Sequence, residues 1–164
     1  MLRVFKSVDQ LKYGQLMDVY IQLNREKAAL NRRKDSNAAL LAAEQDMYDY
    51  LKYYFFKKDG SRLAVWECGG RYVSAVRVER FEDGWLITAL ETAPEHRCKG
   101  FGKQLLNGLL NDFCEPVYSH VHKDNAASLA LHAACGFRVI SDRSVLLDGQ
   151  ISREHYTLLR VKES

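Results

Sequence analysis

The chain has 164 residues, 47% hydrophobic and 27% charged, a size and balance that suit one domain, 1–164, with an interior of its own. Its formal charge of +3 is mildly basic, which favours small anionic ligands and falls short of the clustered excess of a nucleic-acid-binding surface. No stretch approaches about 18 consecutive apolar residues, "MLRVFKSVDQ" has no apolar signal region, and Cys68, Cys98, Cys114 and Cys135 form no C-x-x-C pair, so a soluble cytoplasmic protein with reduced thiols and no membrane partner is expected.

"LRVFKSV" alternates like a strand, and Asp9 follows as a cap for a helix running toward Leu30 with Leu16, Tyr20 and Leu23 along one side. The basic run "NREKAALNRRKD" at 24–35 is interrupted by Glu26 and Asp35, so it reads as a solvated helix end and turn rather than a nucleic-acid contact. From Ser36, "SNAALLAAEQDMYDYLKYYFF" sets Leu40, Met47, Leu51 and Tyr54 at helical spacing, and "KKDGS" closes it with turn residues. The period then changes. "RLAVWEC", "GG" and "RYVSAVRVE" read as a β-hairpin, and "WLITALET" adds a third strand to the meander.

Pro94 has no amide to give a ladder, so that strand ends near Thr92 and a loop follows. Beyond it, Leu105, Leu106, Leu109, Leu110 and Phe113 give a helix one apolar stripe, which "EP" ends. "VYSHV" is a short strand, "NAASLALHAAC" a helix capped by Asn125 and closed by Gly136, and "GFRVIS" and "EHYTLLRV" are closing strands. The order is mixed α and β, without internal repeat or dividing linker.

The loop before the leucine-rich helix, "HRCKGFGKQLL", carries the chemistry. Gly100 and Gly102 let a ligand approach main-chain amides that a Cβ would block, and the first amides of a helix have no partner within it and carry partial positive charge suited to phosphate oxygens. Arg97, Lys99 and Lys103 add cations there. A Walker loop is excluded because Gln104 follows Lys103 and position 97 is not glycine, and a dinucleotide fingerprint because position 105 is leucine.

"TAPEHRCKGFGKQLL" resembles the acyl-CoA signature of the GNAT superfamily of N-acetyltransferases, R/Q-x-x-G-x-G/A, through Arg97, Gly100 and Gly102. "NAASLALHAACGF" resembles that superfamily's later N-x-x-A-x-x-L-Y-x-x-x-G-F element through Asn125, Leu131, Gly136 and Phe137, with Ser128 in the alanine place and His132 in the tyrosine place. The order of elements is similar along nearly the whole chain. The resemblance implies a central, mostly antiparallel twisted sheet flanked by helices, acetyl-CoA as co-substrate, and transfer of its acetyl group to a primary amine in a ternary complex. A coenzyme-A-binding module with little catalysis is the alternative, because no strand glutamate and no tyrosine acid are in place.

On the same basis, Arg97, Cys98, Lys99, Gly100, Phe101, Gly102 and Lys103 would grip the diphosphate, Thr92 the pantetheine, the Leu90 N–H would face the thioester carbonyl, and Asn125 would line the cofactor. Leu86 and Thr88, which share the parity of Leu90, are no bases, and Glu91 falls on the opposite face unless a bulge intervenes. The resemblance makes His120 the candidate base, since relatives of similar spacing use an acidic residue there through a water, with His122 in reserve; His132 is the candidate acid beside the sulfur and Tyr156 a further candidate proton donor. A metal held by His120, His122 and His132 lacks a fourth ligand and is not expected. Small amines, polyamines, aminoglycosides, amino acids and protein amines all remain open as acceptors, and the apolar closing strand is compatible with a homodimer.

Overall fold

Residues that alternate between two apolar faces make the centre of this fold, because a sheet covered on both sides must bury both sets of side chains. A computed structural model describes residues 1–30, 35–146 and 148–162. Its strands are β1 (Leu2–Phe5), β2 (Arg62–Cys68), β3 (Arg71–Phe81), β4 (Gly84–Thr92), β5 (Val117–His122), β6 (Arg138–Ser141), β7 (Ser144–Val145), β8 (Ile151–Ser152) and β9 (His155–Arg160). Seven of them form one sheet in the order β1-β2-β3-β4-β5-β9-β6, with β4 and β5 parallel and the other neighbours antiparallel. The mixed, mostly antiparallel sheet expected from the sequence is thus present. β7 and β8 pair separately as a small hairpin.

The helices are α1 (Tyr13–Val19), α2 (Ile21–Ala29), α3 (Ser36–Tyr53), α4 (Phe101–Leu110) and α5 (Ala126–Ala134). The stripe Leu105, Leu106, Leu109, Leu110 and Phe113 is buried against Val76, Val78, Trp85 and Ile87 on one face of the sheet. Each such leucine contributes about 1.5–3 kcal/mol by leaving water. On the other face Leu16, Val19, Tyr20, Leu51 and Phe55 cover Leu63, Val65 and Ala75. Among the described residues no helix is long and apolar enough to cross a membrane.

The single helix expected from Asp9 to Leu30 is instead a 3-10 turn at Val8–Gln10 followed by α1 and α2, and Asp9 caps neither helix. The break is at Tyr20, whose backbone (φ −90°, ψ 11°) leaves the helical region while its ring, only 2% exposed, enters the core. α3 is capped by the Asp35 carboxylate, which accepts from the Asn37 amide at 2.9 Å. It stops at Tyr53, so Tyr54 lies outside the apolar stripe and is 66% exposed. Part of the basic run, residues 31–34, lies outside the described residues; within the rest, Lys27 pairs with Asp46 at 3.0 Å and Asn24 is buried.

β4 and β5 are joined by only three pairs, Trp85↔Val117, Leu86↔Tyr118 and Ile87↔Ser119, and then part to open the sheet. The closed end is fixed by a backbone contact: the Trp85 amide donates to the Pro116 carbonyl at 3.0 Å, and a Cβ on Gly84 would lie 2.0 Å from that oxygen. Gly84→Ala must push the two strands apart. We expect it to lower stability by at least about 1–3 kcal/mol in urea unfolding; an unchanged midpoint would show that this junction yields without cost.

Candidate functional site

The opening between β4 and β5 is shaped by a defect in the neighbouring ladder. Ala75 faces Glu91 and Arg77 faces Thr88, so Ala89 and Leu90 together stand opposite Val76. This is a β-bulge, which leaves one residue out of regular pairing. Ala89 takes a left-handed backbone (φ 50°), unusual for a residue with a Cβ, and the buried Tyr20 hydroxyl donates to its carbonyl at 2.9 Å.

Beyond the bulge the alternation of faces shifts by one residue. Trp85, Ile87 and Leu90 pack with the α4 cluster, whereas Ala89 packs with the α1–α3 cluster. Thr92 also turns toward α4, where a Cβ on Gly102 would meet its Oγ1 at 3.4 Å. Glu91 consequently joins Leu86 and Thr88 on the opposite face. Leu90 therefore does not share the face of Leu86 and Thr88, as unbroken alternation would require.

After β4, a turn at Pro94–His96 leads to Cys98 (φ 58°) and Gly100 (φ 78°), two left-handed residues that curl the chain before α4 begins at Phe101. Among the described residues none of the amides from Cys98 to Lys103 donates to another group of the chain; Gln104 is the first to bond back, to the Gly100 carbonyl at 3.0 Å. Such a cluster of unpaired amides at a helix start suits an anion. Gly102 lets α4 approach its neighbours, since a Cβ would sit 3.3 Å from Leu131 Cδ2.

The three cations of the loop differ in placement. Lys103 lines the groove. Arg97 turns inward: its Nε donates to the Thr92 carbonyl at 3.2 Å and its Nη2 lies 3.7 Å from Glu91 Oε2. Lys99 donates to the Glu95 carbonyl at 2.8 Å and is outside the groove wall, so the direct diphosphate contact expected of its side chain is not prepared.

The groove has a volume of about 820 Å³ and runs from this loop past Leu90, Glu91 and Thr92 to α2, where Leu23 and Glu26 close it. Cys98, Gly100, Phe101 and Asn125 also line it; the Asn125 Oδ1 accepts from the Ser128 amide at 3.0 Å and thereby caps α5. Burial raises the Glu91 carboxyl above the usual range, Arg97 pulls it down, and Glu26 pushes it up again. Glu91 reaches the groove because a bulge does intervene, and Ala89 gives no turn-residue cue for that bulge.

The histidines separate. His132 is 2% exposed, its Nδ1 hydrogen-bonds the Ser128 carbonyl at 2.8 Å, and its Nε2 pairs with Ser119 Oγ at 2.9 Å. A carbonyl only accepts, so Nδ1 carries the proton and Nε2 accepts from the serine. Burial lowers its pKa, both nitrogens are hydrogen-bonded within the chain, and the ring is absent from the groove wall, so the structure does not present His132 to a ligand in the groove. Ser128 and Leu131 line the groove instead.

His120 follows the last β4–β5 pair on the face of Thr88, in a small cavity with Leu86, Thr88 and His155. Its Nε2 is buried without a hydrogen-bond partner, its ring stands edge-on to Phe81 at 5.4 Å, and burial lowers its pKa. His122 interacts with Asp124, Glu154 and His155 at the surface, and Tyr156 packs on the α4 side under Lys123. His132 therefore does not converge with His120 and His122, and no group of three metal-ligating side chains is found among the described residues.

The family model described as "Acetyltransferase (GNAT) family" matches residues 28–137. No curated protein matches the chain. Solved structures of similar fold include PH1933 from Pyrococcus horikoshii OT3 (15% identity, 100% of each chain, TM-score 0.63). The PaiA N-acetyltransferase from Thermoplasma acidophilum in complex with coenzyme A is similar at 12% identity over 99% of each chain, with a TM-score of 0.60. A third is a chimera of the spermidine N-acetyltransferase SpeG from Vibrio cholerae and hSSAT, at 18% identity over 98% of this chain and 95% of that one, with a TM-score of 0.60.

The placement of His132 is directly testable. His132→Leu removes two hydrogen bonds and strands the buried Ser119 hydroxyl, an expected loss of about 1–3 kcal/mol in urea unfolding. A depressed imidazole pKa contributes stability that is full above the unfolded value of about 6.5 and is lost as pH falls through the folded one, so the variant should also lose acid sensitivity in that window. A variant of unchanged stability would contradict this structural role.

Proposed function

The chain belongs to the GNAT acetyltransferase family, and on that premise we propose that it moves an acetyl group from acetyl-CoA to a primary amine by direct attack in a ternary complex. The observation that carries the reading is the run of unbonded amides from Cys98 to Lys103 at the head of a groove that leads along β4 to the bulge. The coenzyme A complex of a similarly folded acetyltransferase supports the choice of cofactor.

The residues present fit this molecule. The Cys98–Lys103 amides and the Lys103 ammonium would take the diphosphate, Gly100 keeps the left-handed turn that aims those amides, and Thr92, Phe101 and Asn125 would flank the arm. When bound, acetyl-CoA supplies an acyl group activated as a thioester. The bulge at Ala89–Leu90 takes backbone out of the regular ladder, where the Leu90 N–H would donate to that carbonyl. One such donor is worth about 2.7–4 kcal/mol of barrier where negative charge develops.

His120 is the proposed base. Burial lowers its pKa and so favours the neutral imidazole; it lies outside the cofactor groove, in the neighbouring cavity with Thr88, and from the fork of β4 and β5 its unpartnered Nε2 would take a proton from the incoming ammonium or amine. With His132 enclosed, the departing thiolate leaves without an adjacent imidazole acid, which a thiol pKa near 8.5 tolerates. A second reading makes Glu91 the base, because the bulge turns it into the groove and burial raises its pKa.

Thiol release from acetyl-CoA in the presence of an amine panel, with the product nitrogen identified by mass spectrometry, tests the activity. Tight cofactor binding without thiol release would favour a binding module instead. His120→Ala should lower kcat by about 10²–10⁴, with Glu91→Gln costing less than about tenfold; the reverse order would transfer the role of base to Glu91. Gly100→Val forces a β-branched residue into a left-handed turn and should weaken coenzyme A binding at least about tenfold in calorimetry. Unchanged affinity in the folded variant would contradict the diphosphate assignment.

A further inference from the structure

Six buried side-chain polar atoms among the described residues have no hydrogen-bond partner. Three of them, Arg77 Nε, Thr88 Oγ1 and His120 Nε2, fall in one row across three strands. Arg77 is paired with Thr88 in the β3–β4 ladder, and Thr88 and His120 are the next step after the last β4–β5 pair, Ile87↔Ser119. Their neighbours Val76, Val78, Ile87 and Val121 pack under α4, so the row faces the other side of the sheet, that of α1–α3. Buried polar atoms are rarely left unpaired, and a run of them beside a reactive fork points to a polar ligand that lies across it.

Arg77 marks the far end of this row. It borders a cavity of about 760 Å³ between α2 and α3 whose wall shares Leu23 and Glu26 with the cofactor groove. Its guanidinium stacks on the Tyr50 ring at 5.0 Å, and among the described residues no carboxylate forms an ion pair with it. The two acids of that cavity have other partners: Glu26 accepts from Gln22 at 2.9 Å, and Asp46 pairs with Lys27 at 3.0 Å. A half-buried guanidinium presents a planar fork of donors that a carboxylate completes in two parallel hydrogen bonds. A dianionic phosphate would meet Arg77 beside the Glu26 carboxylate, with the cavity's other cation, Lys27, already paired to Asp46, which disfavours it.

We propose that Arg77 is the anion-binding residue of the acceptor site and that the acceptor is a small amine which also bears a carboxylate. The inference rests on the acetyl-transfer reading and narrows its substrate class. The carboxylate enters the α2–α3 cavity against Arg77, and the amine lies over Thr88 toward His120 and the bulge.

The test uses acceptor pairs that are identical except for a carboxylate in one member and a carboxamide in the other, each assayed with saturating acetyl-CoA. The wild-type protein should prefer the carboxylate member at least about tenfold in kcat/KM, and Arg77→Met should reduce that preference below about threefold, with Arg77→Lys in between. Coenzyme A affinity, measured by calorimetry, should be retained in both variants and shows that they are folded. Equal use of both members by wild type, or a preference that survives Arg77→Met, overturns the assignment. Titration of each pair onto the coenzyme-A-bound protein gives the same contrast without turnover. If the contrast appears there but no acceptor is acetylated, the transfer reading fails and Arg77 stands; if no contrast appears, Arg77 fails.

Discussion

One extra residue in β4 governs the site. Because Ala89 and Leu90 share a single partner on β3, every side chain after them changes face, and this shift puts Leu90 and Thr92 beside α4 while Glu91 looks toward α2. Without the shift, the main chain at the fork would be consumed by the ladder and the groove would be lined by a different set of side chains. The left-handed conformation at Ala89 has a cost, and the Tyr20 hydroxyl on its carbonyl helps to offset it. The break between α1 and α2 is part of the same device, since it is at Tyr20 that the chain turns to send that ring into the core.

The groove has opposite electrostatic ends. At the α4 end, unbonded amides and Lys103 favour an anion; at the α2 end, Glu26 and the partly buried Glu91 favour a cation. Arg97 stands between them, holding the loop to β4 through the Thr92 carbonyl and shielding Glu91. A long ligand with an anionic head at the α4 end suits this polarity.

Where local chemistry decides structure, the residues could be read directly. Pro94 ends a strand, Gly100 adopts the left-handed turn, Gly102 permits close packing, Asn125 caps α5, and five apolar residues give α4 its buried face. Where a distant partner decides, the sequence was silent. Ala89 carries no mark of a left-handed residue, because the bulge is set by register against β3. His132 looks available until Ser119, thirteen positions away, is brought beneath it. Arg77 reads as an ordinary polar residue on a strand until α2 and α3 close a cavity over it and the acids there are seen to be engaged elsewhere.

The central claim is that the bulge and the amide cradle belong to one site for one elongated ligand. A crystal structure of the coenzyme A complex measures this directly. The account predicts the diphosphate oxygens at about 3 Å from amides between Cys98 and Lys103, with the sulfur end of the same molecule beside Leu90. A diphosphate bound elsewhere, or an arm that leads away from the β4–β5 fork, would contradict it.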